Sequence, residues 1–202
     1  MKETLILASR SPRRSVLLKQ LGIPHRIKPS SVEETRREGE PAEAYAERLA
    51  IEKALDVSRR TTHPALGADT IVVVDECILE QPRDDEEAFE MLSQLSARTH
   101  RVVTGLALAL EGKLLGATVS VTEVRFRALE EGEIRRYIAS GEGRDKAGSY
   151  GVQGLGGGLI ERIEGEYGTV VGLPLSLTIA LLREHGVLQE WPLEGTRSAE
   201  LL

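Results

Sequence analysis

Residues 9–14, Ser-Arg-Ser-Pro-Arg-Arg, combine two hydroxyls with three guanidinium groups between a short apolar run and an amphipathic stretch. A junction between strand and helix leaves backbone N–H groups unpaired, and the helix dipole favours an anion there. Arginine binds phosphate oxygens with two parallel hydrogen bonds, and serine hydroxyls add short donors. The segment is therefore either an anion-binding site or an exposed basic turn with a serine cap.

Asp69 is a carboxylate at the opening of the β-branched run that ends at Val74. Burying a carboxylate is costly, so we expect this side chain at a strand end that faces a cleft. There it could hold a divalent cation or accept a proton from an attacking water. The structural alternative is a carboxylate that caps a turn.

Lys146 precedes a segment dense in glycine, residues 148–158, which also contains Gln153. Each glycine costs ordering entropy, so this density favours a functional backbone loop over packing. The amide of Gln153 offers both a donor and an acceptor to the edge of a base. The alternative is a flexible loop, although apolar residues interleave with the glycines. The segment matches neither the P-loop nor the dinucleotide-binding glycine pattern.

Several other charged residues have no pattern of their own that indicates a site. Glu33 and Glu34 follow a short apolar stretch, and Glu52 and Lys53 lie within a predicted helix. Because lysine and glutamate are seldom buried, the residues alone predict a solvated face for all four.

Composition excludes several classes of protein. The net charge of −6 over 202 residues and the aromatic content of 3% argue against a nucleic-acid-binding protein. The longest apolar runs are too short for a membrane helix, and the run after Met1 is too short for a signal peptide. The lone Cys77 and four scattered histidines predict no disulfide and no zinc site. We therefore expect a soluble cytoplasmic protein with no nucleic-acid or membrane partner.

Strand and helix patterns alternate along the chain, with hairpin signals at Asp75-Glu76 and at Gly112. The hairpins exclude a purely parallel sheet, so we predict an α/β fold with a mixed twisted sheet and flanking helices. Strands are expected at 5–8, 25–28, 66–74, 102–110, 114–126, 159–163 and 169–171, and helices at 12–21, 41–57, 84–95, 130–139 and 174–186. Residues 187–202 show no clear period and are expected to form a partly disordered tail.

Four motifs in order resemble the Maf family: Leu-Ala-Ser-x-Ser-Pro-Arg-Arg, Leu-Ala-x-Glu-Lys-Ala, Gly-Ala-Asp-Thr and Asp-Lys-Ala-Gly-x-Tyr-Gly-x-Gln-Gly. The similarity runs from Leu5 to Gly186, and separated motifs in one order are more specific than any single motif. The resemblance implies a nucleoside triphosphate pyrophosphatase with one domain over residues 1–186. It also implies two lobes around a central cleft and a divalent cation, Mg²⁺ or Mn²⁺.

The resemblance also assigns roles to individual residues. It makes Asp69 the proton acceptor and a metal ligand, together with Glu34, and it places around the phosphates Ser9, Arg13, Arg14, Lys53 and Lys146. The combination of Arg13, Thr70 and Gln153 looks like the branch of the family that acts on dTTP and UTP. We expect metal-assisted attack of water on the α-phosphate, which releases pyrophosphate and the nucleoside monophosphate.

Gln81 departs from the family pattern, which usually has Lys-Pro where this chain has Gln-Pro. Loss of a charge-assisted contact of about 1.5–3 kcal/mol weakens binding of the transition state. The alternative function is therefore a catalytically weakened nucleotide-binding regulator of cell division, and a simple phosphatase is a third. A homodimer is a further expectation, because the hairpin strands could expose a sheet edge.

Overall fold

A computed structural model describes residues 5–193, which form an α/β fold of strands, helices and two 3₁₀ turns. In chain order the elements are β1 (Leu5–Leu7), α1 (Pro12–Gln20), β2 (His25–Ile27), α2 (Ala42–Ser58), β3 (Ala65–Val74), β4 (Cys77–Leu79), α3 (Asp85–Leu95), β5 (Thr99–Leu110), β6 (Lys113–Phe126), α4 (Glu131–Ala139), the 3₁₀ turns Ala147–Ser149 and Leu155–Leu159, β7 (Ile160–Glu164), α5 (Tyr167–Val171) and α6 (Leu175–Glu184).

The strands of this region form one seven-stranded mixed sheet with the order β2-β1-β3-β5-β6-β7, and β4 pairs with β3. Strand β1 lies parallel to β2 and β3, whereas β4 and β7 run antiparallel to β3 and β6. The predicted mixed α/β sheet is therefore confirmed. None of the helices described between residues 5 and 193 has the length and hydrophobicity that a membrane span requires.

Both predicted hairpins are present, and their turns explain why the sequence revealed them. Asp75 and Glu76 have φ of 47° and 63°, and Glu111 and Gly112 have φ of 49° and 77°. Two consecutive positive φ values match the right-handed twist of the flanking strands, so short hairpins favour this turn. Local backbone chemistry thus fixes where these strands reverse.

One of the predicted elements is wrong. Residues 169–171 lie in the short helix α5, not in a strand, and β7 pairs with β6. In α1, Leu17 and Leu18 are buried, while Val16 is 45% exposed. Within the expected tail, Leu188 is buried and the indole of Trp191 donates to the carbonyl of Leu21 at 2.9 Å. The remainder of that tail, 194–202, lies outside the described residues.

The described chain divides into two compact units. Unit 1 contains residues 5–69, 104–120 and 172–193, and unit 2 contains residues 70–103 and 121–171. Unit 1 packs α2 against strand residues through small side chains such as Ala50, Ala54 and Ala107. Unit 2 has a core built from β-branched, leucine and aromatic side chains of its strands and helices. The single domain predicted over residues 1–186 and the central cleft stay predictions.

In unit 1, two glycines allow α2 to approach the sheet closely. A Cβ at Gly67 would lie 2.2 Å from the carbonyl oxygen of Ala50, and one at Gly105 would lie 2.2 Å from that of Ala46. These neighbours are backbone atoms, which cannot rotate away as a flexible side chain can. The sequence therefore sets the spacing between α2 and strands β3 and β5 by omitting a side chain on each strand.

A second interaction holds the loop before α2 on that helix. The Arg48 guanidinium donates to both carboxylate oxygens of Glu40, at 2.6 and 2.7 Å, and to the carbonyl of Thr35 at 3.0 Å. The Tyr45 hydroxyl donates to the carbonyl of Glu34 at 3.2 Å. Hydrogen bonding to Arg48 lowers the pKa of Glu40 from 4.5 to about 2, although partial burial opposes this shift. The loop that carries Glu34 is thus fixed to α2.

We predict that Gly67→Ala destabilises the protein by about 1–3 kcal/mol or more, because the new methyl group overlaps the backbone of α2. Urea unfolding measures this change. Gly132→Ala is the matched control, since that glycine lies in α4 near only the end of the Arg136 side chain. Alanine is the better helix former, so the control should be neutral or slightly stabilising. Equal stability of the two variants would contradict the close approach of α2.

We predict that Glu40→Gln lowers the free energy of unfolding by about 1–2 kcal/mol above pH 5. The folded pKa of Glu40 lies below its ordinary value, so the carboxylate stabilises the fold above about pH 4.5 and loses this effect as pH falls toward 2. The difference between wild type and variant should shrink over that interval in urea titrations. Glu38→Gln, at an exposed position in the same loop, should show no such pH dependence.

Candidate functional site

The centre of the candidate site in unit 1 is a lysine ammonium shared by two carboxylates. Lys53 Nζ lies 2.6 Å from Asp69 Oδ1 and 2.6 Å from Glu34 Oε1. The side chains of Lys53 and Asp69 are only 8% and 7% exposed, whereas that of Glu34 is 55% exposed. A buried ion pair therefore opens to solvent through Glu34. The solvated position expected for Lys53 from residue type alone is wrong.

Asp69 lies within β3, with four strand residues before it and five after it, so the expectation that it opens the strand is also wrong. It shares its face of the strand with Gly67, because side chains alternate along a strand. The face that admits α2 at Gly67 thus also presents Asp69 to Lys53. Burial raises the pKa of Asp69, while the positive charges of Lys53 and Arg14 oppose this shift.

At the junction of β1 and α1, the first serine of the arginine-rich segment organises the backbone and one arginine. The Ser9 hydroxyl accepts from the N–H of Ser11 at 3.1 Å and from Arg14 Nη1 at 3.0 Å. Arg14 Nε donates to the carbonyl of Gly172 at 2.7 Å. Ser11 precedes the helix but makes no side-chain cap hydrogen bond, which argues against the simple serine cap.

Electrostatics link Arg14 to the two carboxylates. Burial lowers the pKa of Arg14, and the negative charges of Asp69 and Glu34 oppose that shift, whereas Arg13 adds to it. Ser9, Arg14, Glu34, Lys53 and Asp69 thus form one charged cluster within unit 1, and Arg13 lies half-buried beside it. This arrangement combines fixed positive charge with a carboxylate of raised pKa.

The donor set of the cluster can be compared with what a divalent cation needs. Within residues 5–193 no group of three or more acidic, histidine or cysteine side chains could hold a metal ion. Glu34 Oε1 and Asp69 Oδ1 instead converge on Lys53 Nζ, which occupies the point between them. Mg²⁺ is commonly bound by one or two carboxylates together with phosphate oxygens of the substrate. These two carboxylates fit a cation only if a substrate supplies the other oxygens.

Other residues expected at the site belong to unit 2. Thr70 follows Asp69 in β3 and is half-buried, and Gln153 is exposed in the glycine-rich loop. Lys146 Nζ donates to Asp145 Oδ1 at 2.5 Å and also to the carbonyl of Glu142. Gln81 is exposed between β4 and α3. Arg83, two residues further along, donates from Nε to Glu87 at 3.0 Å.

Sequence reasoning missed the residues that hold the glycine-rich loop. The Glu142 carboxylate accepts from the N–H groups of Leu155 and Gly156, both at 2.8 Å, and from the Tyr137 hydroxyl at 3.0 Å. The same hydroxyl accepts from the N–H of Gly151 at 3.0 Å. In the sequence Glu142 lies in a polar stretch typical of a solvated turn, so no pattern distinguished it.

Comparison with known proteins agrees with the motifs. A "dTTP/UTP pyrophosphatase" of Alcanivorax borkumensis is 47% identical over 193 residues, which cover 94% of this chain and 99% of the relative. The protein of the same name from Escherichia coli O157:H7 is 48% identical over 93% of this chain and 95% of its own. A solved dITP/XTP pyrophosphatase from Mycobacterium abscessus aligns with 91% of this chain and 90% of its own at 16% identity, with a TM-score of 0.43, too low to carry an inference.

The family model described as "Maf-like protein" matches residues 4–185 of this chain. These residues include every charged residue of the cluster around Lys53. The relatives cover nearly the whole chain at almost half identity. The chain therefore belongs to the Maf family.

Proposed function

We propose that the protein is a nucleoside triphosphate pyrophosphatase that hydrolyses dTTP and UTP to the nucleoside monophosphate and pyrophosphate. The observation that supports this most directly is the buried Asp69 carboxylate, which lies against Lys53 and within the field of Arg14. The names of relatives at 47–48% identity point to the same reaction. The cellular compartment that fits an exposed, single cysteine is the reducing cytoplasm.

In the proposed mechanism Asp69 accepts a proton from the water that attacks the α-phosphorus. The new bond joins the water oxygen to the α-phosphorus, and the bond to the oxygen bridging the α- and β-phosphates breaks. Efficient bases have a pKa near the working pH, and burial moves the pKa of Asp69 upward. The positive charges of Lys53 and Arg14 oppose that rise and favour the ionised carboxylate, which is the form that accepts a proton.

The positive groups of the cluster stabilise the charge that develops on the departing pyrophosphate. Ser9 fixes the Arg14 guanidinium, so this charge is preorganised and needs little rearrangement during the reaction. Arg13, Lys53 and Lys146 are proposed to add positive charge around the phosphates. A divalent cation, Mg²⁺ or Mn²⁺, would be bound by Glu34 and Asp69 and would supply neutralisation of the phosphate oxygens.

Selection of the base is proposed to depend on Arg13, Thr70 and Gln153. A glutamine amide presents one donor and one acceptor, which complement the N3–H donor and O4 acceptor of a uracil or thymine ring. Such pairing disfavours a base whose donors and acceptors are exchanged, because the polar groups would then lack partners. Thymine in dTTP and uracil in UTP both present this donor and acceptor.

The alternative of a regulator that binds nucleotide without turnover is less well supported. This alternative is based on the uncharged side chain of Gln81. The relatives that match along nearly the whole chain, however, have enzyme names. Gln81 is exposed, and an exposed charge contributes less than a buried one. A simple phosphatase would release orthophosphate, so identification of the product separates it from the proposed enzyme. A homodimer remains a proposal that measurement of mass in solution tests.

We predict that Asp69→Asn lowers kcat for UTP and dTTP by about 10²–10⁴-fold, because the amide cannot accept the proton. Pyrophosphate release is measured with Mg²⁺ and with Mn²⁺, and nucleotide binding is measured separately by calorimetry. Asp75→Asn is the matched control, since Asp75 lies in the exposed turn after the same strand and asparagine tolerates its positive φ. Full turnover by Asp69→Asn would refute the assigned role.

We predict that Gln81→Lys raises kcat/KM for UTP by about two- to fivefold, the size expected of one exposed ionic contact with phosphate. Gln94→Lys, exposed on α3, adds the same charge elsewhere in the unit and should leave kcat/KM unchanged. If the wild type binds UTP without turnover and Gln81→Lys restores hydrolysis, the regulator is the correct function. A rise of equal size in both variants would indicate a general effect of net charge.

A further inference from the structure

The glycine-rich loop of unit 2 is tied down at two places by contacts of different kinds. Near its start, the Tyr150 hydroxyl lies 2.8 Å from Nε2 of the buried His100, and both rings pack edge-on against Phe126. Further along, Leu155 and Gly156 donate their N–H groups to the Glu142 carboxylate, each at 2.8 Å. Gln153 lies between these two attachments.

Two glycines of the loop leave room for the ends of neighbouring side chains. A Cβ at Gly154 would lie 2.0 Å from Glu142 Oε2, and a Cβ at Gly151 would lie 3.0 Å from Cε of Lys146. The Tyr137 hydroxyl joins both features, because it accepts from the N–H of Gly151 and donates to Glu142. The absence of a side chain at these two glycines thus lets the Glu142 carboxylate and the Lys146 side chain lie close to the loop backbone.

Glu142 also reaches Lys146 through its backbone. Its carbonyl oxygen accepts a hydrogen bond from the Lys146 ammonium, while its carboxylate holds the backbone beyond Gln153. One residue therefore contacts both the lysine expected at the phosphates and the segment that carries the glutamine expected at the base.

We propose that Glu142 is a positioning residue for nucleotide selection: it fixes the loop so that Gln153 keeps one orientation toward the base while Lys146 keeps its place. This inference rests on the proposed function. Hydrogen bonds from Gly156, Leu155 and Tyr137 outweigh the effect of partial burial and hold the pKa of Glu142 below its ordinary value. The carboxylate therefore remains an acceptor-only group, which suits two N–H donors.

The test compares Glu142→Gln with the wild type. Glutamine has nearly the same size, but it presents an NH₂ group to one of the two backbone N–H donors and lacks the charge. We expect kcat/KM for UTP to fall about tenfold, mainly through KM, and discrimination between UTP and CTP to fall as well. Cytosine exchanges the donor and acceptor of the uracil edge, so only a fixed Gln153 rejects it strongly.

Hydrogen exchange of a peptide that covers residues 151–158 provides a readout without nucleotide. Exchange in Glu142→Gln should be about tenfold faster than in the wild type, since one charged hydrogen bond is lost. Glu142→Asp, which keeps the charge on a shorter side chain, should recover part of the UTP preference. Glu131→Gln is the matched control, because Glu131 is exposed and bonds Arg135 at 2.9 Å.

Faster exchange together with a reduced preference for UTP over CTP supports the positioning role. An unchanged preference overturns it, even if exchange or thermal stability changes, because Glu142 would then only stabilise the fold. Absence of pyrophosphate release from UTP and dTTP by the wild type would instead overturn the proposed function. The two failures are therefore distinguished by the wild-type assay alone.

Discussion

The buried ion pair between Lys53 and Asp69 is the interaction on which the candidate site depends. Removing two charges from water costs several kcal/mol per ion unless their geometry is close and further partners are present. The close approach of α2 to the sheet at Gly67 and Gly105 supplies that geometry. The ion pair between Arg48 and Glu40 fixes the loop that carries Glu34. Helix, strand and loop are thus positioned for one ammonium group.

The Lys53 ammonium is shared by two carboxylates, and this sharing affects the electrostatics of Asp69. Burial raises the pKa of Asp69 and the negative charge of Glu34 adds to the rise, whereas the positive charges of Lys53 and Arg14 oppose it. A polyanionic substrate that brings its own cation would relieve the repulsion and engage the positive groups.

The sequence predicted the parts of the fold that depend on local chemistry. Hairpin turns with positive φ and most helices follow from neighbouring residues, and the motifs placed the family. Three features depend on distant contacts and could not be predicted that way. Helical spacing does not show that Lys53 faces a strand, the β-branched run does not locate Asp69 within β3, and nothing near Glu142 reveals that it binds backbone 13 residues away.

Solvent exposure also determines how much a positive charge at position 81 would contribute. The charges of Lys53 and Asp69 are shielded from solvent, so they act in a medium of low effective dielectric. Gln81 is exposed, and a lysine at such a position would be screened by water and salt. The buried charges of Lys53 and Asp69 are thus screened less than a charge at position 81 would be. The proposed reaction is therefore compatible with glutamine at position 81.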